Sequence, residues 1–464
     1  MIYENKDQLK SKCSPIIQLD GGDVRILDEE KLKSELIDDL IYTAVFSPDK
    51  ATADAACWLI RRSAAALGII SSSIQFLYEA MGRGEVKGFT VPAINLRAMT
   101  YYSAQAVFRA ALKGQVGPVI FEIARSEIDY TQQRPLEYTC AVMAAAIKTG
   151  YSGPVFLQGD HFQINAKKFA ADPAKETQAV KNLIWEAIEA GFYNIDIDTS
   201  TLVDLSRKTV RQQQETNYSL AAELTTMIRD LEPEGISISV GGEIGEVGGK
   251  NSTIEELQAF MEGYLETLKK DNQAATPISK ISVQTGTAHG GVPLADGSIA
   301  EVKIDFEVLQ KLSEVARKQY GLAGAVQHGA STLPDEAFDK FPAVGTAEIH
   351  LATGFQNIVY DSPDFPQDLK DRIYNYLKTD LKEEWKEKDT AEQFIYKTRK
   401  KGCGPFKPEM WNLPAPTLQK LGDQLEKQLS FLFDKLKVNS TYELMKQYVQ
   451  PMDVGVEMPA ALKG

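Results

Sequence analysis

Pro154-Val155-Phe156-Leu157-Gln158-Gly159-Asp160-His161 is an apolar run that stops on a glycine, a carboxylate and an imidazole. The pattern recurs along the chain. Val240-Gly241-Gly242-Glu243 ends another such run, as do Thr287-Ala288-His289 and Val326-Gln327-His328. The histidines are His161, His289, His328 and His350, and each sits at or near the end of a short β-branched or apolar run. Histidines that served only packing or solubility would have little reason to gather there. The placement predicts a metal site built on strand ends. Neighbouring residues on a regular strand point to opposite faces. Asp160 and His161 can therefore share a site only where the strand gives way, and Gly159 permits such a break.

Outward from this stretch the chain alternates strands and helices. Strands are predicted at Phe89–Asn95, Pro118–Ile123, Pro154–Gln158, Asn194–Asp198, Ile236–Val240, Lys280–Thr285, Ala323–Gln327 and Ala347–Leu351. Helices are predicted between them, including Ala98–Lys113, Leu136–Lys148, Lys175–Ala190, one long helix over Leu205–Leu231, Ile254–Lys269 and Phe306–Tyr320. This α/β alternation over about 280 residues matches a (β/α)8 TIM barrel in number and size. Near-continuous apolar strands fit burial on both faces. A doubly wound open sheet is the competitor, but it gathers its site at one switch point. Here polar residues end the third, fifth, sixth, seventh and eighth strands, and only a closed ring brings those ends together.

The barrel is expected at residues 73–361, between a helical N-terminal extension (1–72) and a helical C-terminal extension (362–464). Leu418, Leu421, Leu425, Leu429, Leu432 and Leu436 form an apolar stripe, predicting a helix packed on the barrel or on a second subunit. Lys397, Arg399, Lys400, Lys401 and Lys407 form a basic cluster, which reads either as a solvated face or as an anion contact.

The chain has 464 residues and a formal net charge of -13, which argues against nucleic acid as a partner. Cys13, Cys57, Cys140 and Cys403 lack CxxC spacing and predict reduced thiols in a cytoplasmic protein. Met1 to Asp7 lacks the layout of a secretory signal, and the greasiest segment, Ala51–Ile70, carries Asp54, Arg61 and Arg62, so no membrane partner is expected.

Imidazoles from different strands plus a carboxylate suit zinc or a similar divalent ion with an open position. No HExxH helix is present. Asp160 is either a base or a carboxylate that orients a ligand imidazole. His289-Gly290-Gly291 and His328-Gly329-Ala330-Ser331 place bare backbone after imidazoles, where N–H groups can meet a phosphate, although a tight turn also needs glycine.

Taken in order, these residues resemble the class II, metal-dependent fructose-bisphosphate and tagatose-bisphosphate aldolase family. The resemblance runs from about Ser73 to Asp361. It rests on Gly88-Phe89-Thr90-Val91-Pro92-Ala93-Ile94-Asn95, Asp160-His161, Gly191-Phe192 leading to Asp198, Glu243 before Gly248-Gly249, Gly286-Thr287-Ala288-His289-Gly290 and His328-Gly329-Ala330-Ser331. It implies a TIM barrel acting as a homo-oligomer on a small sugar phosphate. It further implies His161, His289 and His328 as zinc ligands and Glu243 as an additional or alternate one, with a monovalent cation as a second ion. Asp160 would be the acid/base, and Gly290, Gly329, Ser331 and Thr353 would hold the phosphate of a dihydroxyacetone-phosphate-like unit. The implied reaction is cleavage or formation of a ketose phosphate through an enediolate.

The chain also departs from the family. His350 stands where an asparagine contacts the ketose, which makes it a candidate donor, ligand or acid/base. Lys250-Asn251-Ser252 replaces acidic residues after the paired glycines, and Pro408-Glu409-Met410-Trp411 carries a glutamate where longer members place a phosphate-binding arginine. Two further readings stay open: an epimerase on the same scaffold, and a non-catalytic aldolase accessory subunit.

Overall fold

The structure is a computed structural model that describes residues 1–245, 249–286, 294 and 303–463. The barrel strands, numbered β1 to β8, are Val91–Asn95, Ile120–Ala124, Gly153–Gln163, Asn194–Asp198, Ser239–Glu243, Lys280–Val283, Ala325–Gln327 and Glu348–Leu351. Each pairs in parallel with the next, and β8 pairs with β1 through Glu348↔Val91 and His350↔Ala93, which closes the ring. Closure fits the sequence: β1, β2 and β4 are buried along their whole length, as parallel strands under a ring of helices must be. The α/β barrel expected from the strand ends is therefore the fold.

Most strands differ from expectation by one or two residues at an end, and two, β3 and β5, differ by more. β5 lies later than Ile236–Val240 and includes Gly241-Gly242. A Cβ on Gly241 would stand 2.2 Å from Asp196 Oδ1 and 2.9 Å from Lys280 Cε, so glycine leaves room for an internal ion pair. β3 continues past Gln158 to Gln163, and its register against β4 slips between Gly159↔Ile195 and Phe162↔Ile197. That slip is a β-bulge, one extra residue on β3.

The helix predicted over Leu205–Leu231 is broken into Val210–Gln213 and Glu215–Leu231. Ahead of the break, Asp204 accepts hydrogen bonds from Ser206 N and Oγ, a local turn that competes with helix. The N-terminal extension is not only helical. Ile17–Asp20 and Asp23–Ile26 form an antiparallel hairpin turned by Gly21 and Gly22, both with positive φ. An extra parallel strand, Ile69–Ser71, lies on the start of β3.

Both extensions pack on the barrel. The helix Ala415–Lys435 lies along Thr100–Gly114, with Arg109 Nε 2.6 Å from Glu426 Oε2. Trp411, fully buried, touches Tyr42 and Phe46 of the N-terminal extension and Tyr101 and Tyr102 of the barrel, with ring centroids 5.4–6.1 Å apart. Such aromatic contacts add specific geometry to apolar burial. The helix Gln75–Gly82 closes the N-terminal end of the ring, because the Tyr78 hydroxyl reaches the Glu348 carboxylate inside it. No described helix is long and apolar enough to cross a membrane.

Candidate active site at the strand ends

The bulge in β3 organises the site. His161 takes φ 40°, a left-handed conformation uncommon outside glycine. This turn lets Asp160 and His161 face the same cavity, which a regular strand forbids. The strand yields within its own ladder rather than at its end, so the expected break is present in a tighter form. Gly159 is part of the device, because a Cβ there would stand 2.5 Å from the buried Phe162 ring.

At the carboxyl ends of the strands the imidazoles crowd together, their rings tilted against one another. His161 Nε2 lies 2.9 Å from His328 Nδ1, and the His328 and His350 ring centroids are 4.0 Å apart. Carboxylates surround them. Asp198 Oδ2 is 3.2 Å from His161 Nδ1, and Glu243 Oε2 is 3.8 Å from His161 Nδ1 and 3.7 Å from His328 Nε2. Asp160 Oδ1 is 3.7 Å from His161 Nε2 and 3.2 Å from His350 Nδ1. Glu122 Oε2 is 2.9 Å from His350 Nδ1, and Glu348 Oε1 is 2.6 Å from His350 Nε2. Below this layer Lys280 Nζ, almost wholly buried, contacts Glu348 Oε1 at 2.5 Å, Gln158 Oε1 at 2.8 Å and Asp196 Oδ2 at 3.0 Å.

Most of these groups follow from period two. Gln158 and Asp160, Asp196 and Asp198, Lys280 and Ser282, and Glu348 and His350 are spaced two apart on their strands, so each pair shares the inner face.

The electrostatics are those of a cation trap. Burial disfavours charge on His161, but Asp160, Asp198 and Glu243 overcome it and push its pKa up to about 10. Burial, then Asp198, raises Glu243 to about 8. Burial, then Asp160, raises Glu122 to about 8. Burial raises Asp196 to about 6 against the pull of Lys280. Burial opposes ionisation of Glu348, yet Lys280 and His350 hold its carboxyl well below the usual range. Crowded buried carboxylates retain protons unless another positive charge arrives. Asp160, His161 and His328 offer ligand atoms within 4.8 Å of one another, as do Glu122, Asp160 and His350. The donor set is nitrogen and oxygen, and Glu122 Oε1 has no hydrogen-bond partner among the described residues despite being buried. Residues of this kind fit a divalent ion.

Of the residues named from the sequence, the structure brings together Asp160, His161, Glu243, His328 and His350, while His289 and Gly290 lie outside the described residues. Gly329, Ser331 and Thr353 line the same cavity of about 360 Å³. Ser331 Oγ accepts from Ala352 N at 2.7 Å, which ties the loops after β7 and β8. Arg97 donates from Nη1 to Thr353 Oγ1 at 3.2 Å and from Nε to Glu127 Oε1 at 2.6 Å. Glu409 does not line the cavity; it pairs with Arg372 at 2.8 Å. Of the basic cluster, only Lys400 lines the cavity.

Sequence reasoning missed Arg97, Glu122, Glu127 and Lys280. A charge inside an apolar strand, as in Phe121-Glu122-Ile123, was the available signal for Glu122. Arg97 and Glu127 sit beyond the strand ends and left none.

A family model described as fructose-bisphosphate aldolase class-II matches residues 77–401, and the chain belongs to that family. Among solved structures, the chain is similar to a probable tagatose 6 phosphate kinase from Sinorhizobium meliloti 1021 (17% identity, 80% of this chain and 96% of that chain, TM-score 0.52). It is similar to the glycerol-complexed fructuronate-tagaturonate epimerase UxaE from Cohnella laeviribosi (11% identity, 92% and 90%, TM-score 0.52). It also matches fructose-bisphosphate aldolase from Campylobacter jejuni (18% identity, 80% and 95%, TM-score 0.47). The likeness to the first two, at TM-score 0.52, is one of fold.

Proposed function

We propose that the protein is a zinc-dependent aldolase that cleaves or forms a ketose phosphate. One observation carries the reading: the bulge in β3 turns Asp160 and His161 into a single cavity beside His328 and Glu243. His161, His328 and Glu243, with His289, would hold the ion. When bound, a divalent ion supplies Lewis-acid polarisation of the ketose carbonyl.

The chain's own groups do the rest. Asp160, as carboxylate, takes the proton from the hydroxyl next to the breaking bond, and a positioned base of this kind contributes roughly 10²–10⁴-fold. Gly329, Ser331 and Thr353 orient the phosphate, supported by the Arg97–Thr353 contact. Lys280 holds Glu348 ionised, and Glu348 fixes the His350 ring. The stretches 1–72 and 362–464 act as braces of the catalytic barrel at 73–361, a division supported by the Trp411 cluster.

The test is a screen of ketose mono- and bisphosphates with and without chelator, beside Asp160→Ala. Triose phosphate release that stops on both treatments is expected; full activity of the variant and of the chelated enzyme would falsify the reading.

Epimerisation on the same scaffold is the second reading. It is favoured by His350 Nδ1 lying within reach of both Asp160 and Glu122, which gives the site a second proton-handling group. The fold likeness to an epimerase extends over 92% of the chain.

A further inference from the structure

β2, β3 and β8 bring Glu122, Asp160 and His350 together, and hydrogen bonding does not account for how they meet. His350 Nδ1 lies 2.9 Å from Glu122 Oε2 and 3.2 Å from Asp160 Oδ1, yet among the described residues it makes a hydrogen bond with neither. Two ligands at right angles, each about 2.1 Å from one ion, stand about 3.0 Å apart. The spacing is therefore that of donors around a shared point. Behind the ring, His350 Nε2 lies 2.6 Å from Glu348 Oε1, and Lys280 Nζ holds that oxygen at 2.5 Å. A carboxylate behind the second nitrogen is the usual support of a metal-bound imidazole. Glu122 is 1% exposed and lines the cavity. Its Oε2 accepts from Gln158 Nε2 at 3.1 Å, which fixes the side chain, while its Oε1 has no hydrogen-bond partner among the described residues. A buried polar atom left unpaired marks a place where something else binds. The neighbouring cluster supplies the contrast. Asp196, Glu348 and His350 also offer ligand atoms within 4.8 Å of one another, and there the Lys280 ammonium stands 2.5 Å from Glu348 and 3.0 Å from Asp196. Around Glu122 no lysine or arginine lies within ion-pair distance among the described residues.

We propose that Glu122, Asp160 and His350 form a second metal site, which takes a divalent cation. Two carboxylates and one imidazole make a harder donor set than the cluster of imidazoles beside it, and suit an oxygen-preferring ion such as manganese. The proposal rests on the reading of a first ion at His161, His328 and Glu243. The two sites share Asp160, whose Oδ1 is 3.2 Å from His350 Nδ1 and 3.7 Å from His161 Nε2. Paired ions of this kind stand about 3.5–4 Å apart and hold two oxygens of one substrate. On a ketose phosphate the first ion would take the carbonyl oxygen and the second the hydroxyl oxygen beside the breaking bond. Asp160 would meet the ions through Oδ1 and keep its other oxygen for the hydroxyl proton.

The test strips the whole chain with chelator and titrates it with manganese(II), counting bound ions and recording their electron paramagnetic resonance. Wild type is expected to take two ions per chain and to give the signal of a spin-coupled pair. Glu122→Gln, which keeps the shape of the side chain, should hold one ion with the signal of an isolated centre. Its binding of the second ion should weaken about a hundredfold or more, at least what the loss of an outer partner of a metal ligand costs. His350→Asn should do the same and serves if Glu122→Gln fails to fold by thermal unfolding. A coupled pair in either folded variant overturns the proposal, as do two uncoupled ions in the wild type. A single ion in a wild type that releases triose phosphate removes the second site and leaves the aldol reading standing. No bound ion at all removes both.

Discussion

His161 Nε2 lies 2.9 Å from His328 Nδ1, although 167 positions separate the two residues in the chain. Two strands of a closed barrel bring their ends near each other, but only the bulge at Gly159 turns His161 inward. Gly159→Ala should therefore act like the loss of a ligand. Its Cβ would meet the Phe162 ring at 2.5 Å, forcing the ring out and the register back toward a regular strand. Overpacking of this kind costs about 1–3 kcal/mol. Zinc content of the purified variant should drop well below one per chain, and aldol activity about a hundredfold or more. Stoichiometric zinc in a folded Gly159→Ala would break the link between bulge and metal. Stoichiometric zinc in the wild type would also argue against a non-catalytic accessory subunit.

Lys280 supplies the positive charge at the centre of the barrel. Its ammonium is the counter-ion of Glu348 and Asp196, and burial of all three makes them interdependent. Lys280→Met would remove the ammonium that both carboxylates share and leave His350 as the cation beside them, a loss of up to about 3–5 kcal/mol for a broken buried pair. Urea unfolding is the measurement. Adding Glu348→Gln removes one of the orphaned charges, so the double variant should be less destabilised than the sum of the singles. Strict additivity would mean that the residues do not act as a unit.

The strands that set the barrel were legible because each is a short apolar run ended by a polar residue. Asn194–Asp198 matches its predicted bounds, and Phe306–Tyr320 does so among the helices. Misjudged elements have local causes. Gly241 and Gly242 read as the end of β5 because glycine is a poor strand former, yet the Asp196–Lys280 pair needs the missing side chain of Gly241, and Gly242 leaves room for Ile278 on the other face. The strands of the Ile17–Ile26 hairpin alternate apolar and polar residues but are four residues each, too short for the alternation to stand out. At the site, the imidazoles and Asp160 stood out by type and position. Glu122 and Lys280 did not, because a single charge in a strand looks the same whether it faces a partner or solvent. Their meaning depends on which strand lies across the ring, and that is tertiary information.

Glu122 also gives a pH signature. Its folded pKa is raised from the ordinary value of about 4.5 to about 8, first by burial and then by Asp160. The folded state thus binds a proton that the unfolded chain releases. The stabilisation is full below about pH 4.5 and is lost as pH rises through about 8. Glutamine mimics the protonated acid at every pH. Chemical denaturation in the presence of chelator should show Glu122→Gln gaining stability relative to wild type from pH 5 to pH 9. A difference that stays constant across that range would mean that Glu122 is ionised throughout.

Lys400 is the member of the C-terminal basic cluster that faces the cavity. Its neighbours are otherwise engaged. Arg399 clamps Asp361 at 2.6 and 2.9 Å, Lys401 pairs with Glu384 at 2.5 Å, and Lys407 holds Gln132 O and Glu137 at 2.6 and 2.7 Å. Gly404 packs so closely on the helix Arg125–Thr131 that a Cβ would stand 2.4 Å from Tyr130 O. The turn is therefore held rigidly, while Lys400 has no carboxylate within ion-pair distance among the described residues and only the Tyr130 ring 5.6 Å away. Burial and the nearby Arg97 charge push its pKa down, as expected of a cation short of an anion. A charge-assisted hydrogen bond to a substrate phosphate is worth about 1.5–3 kcal/mol. Lys400→Met should accordingly raise KM for a phosphorylated ketose roughly tenfold or more, with a smaller effect on kcat. Lys401→Met, which removes the adjacent charge outside the cavity, should leave KM within about twofold, a surface change of the usual size. Equal KM values for the two variants would mean that the cavity draws its substrate anion elsewhere.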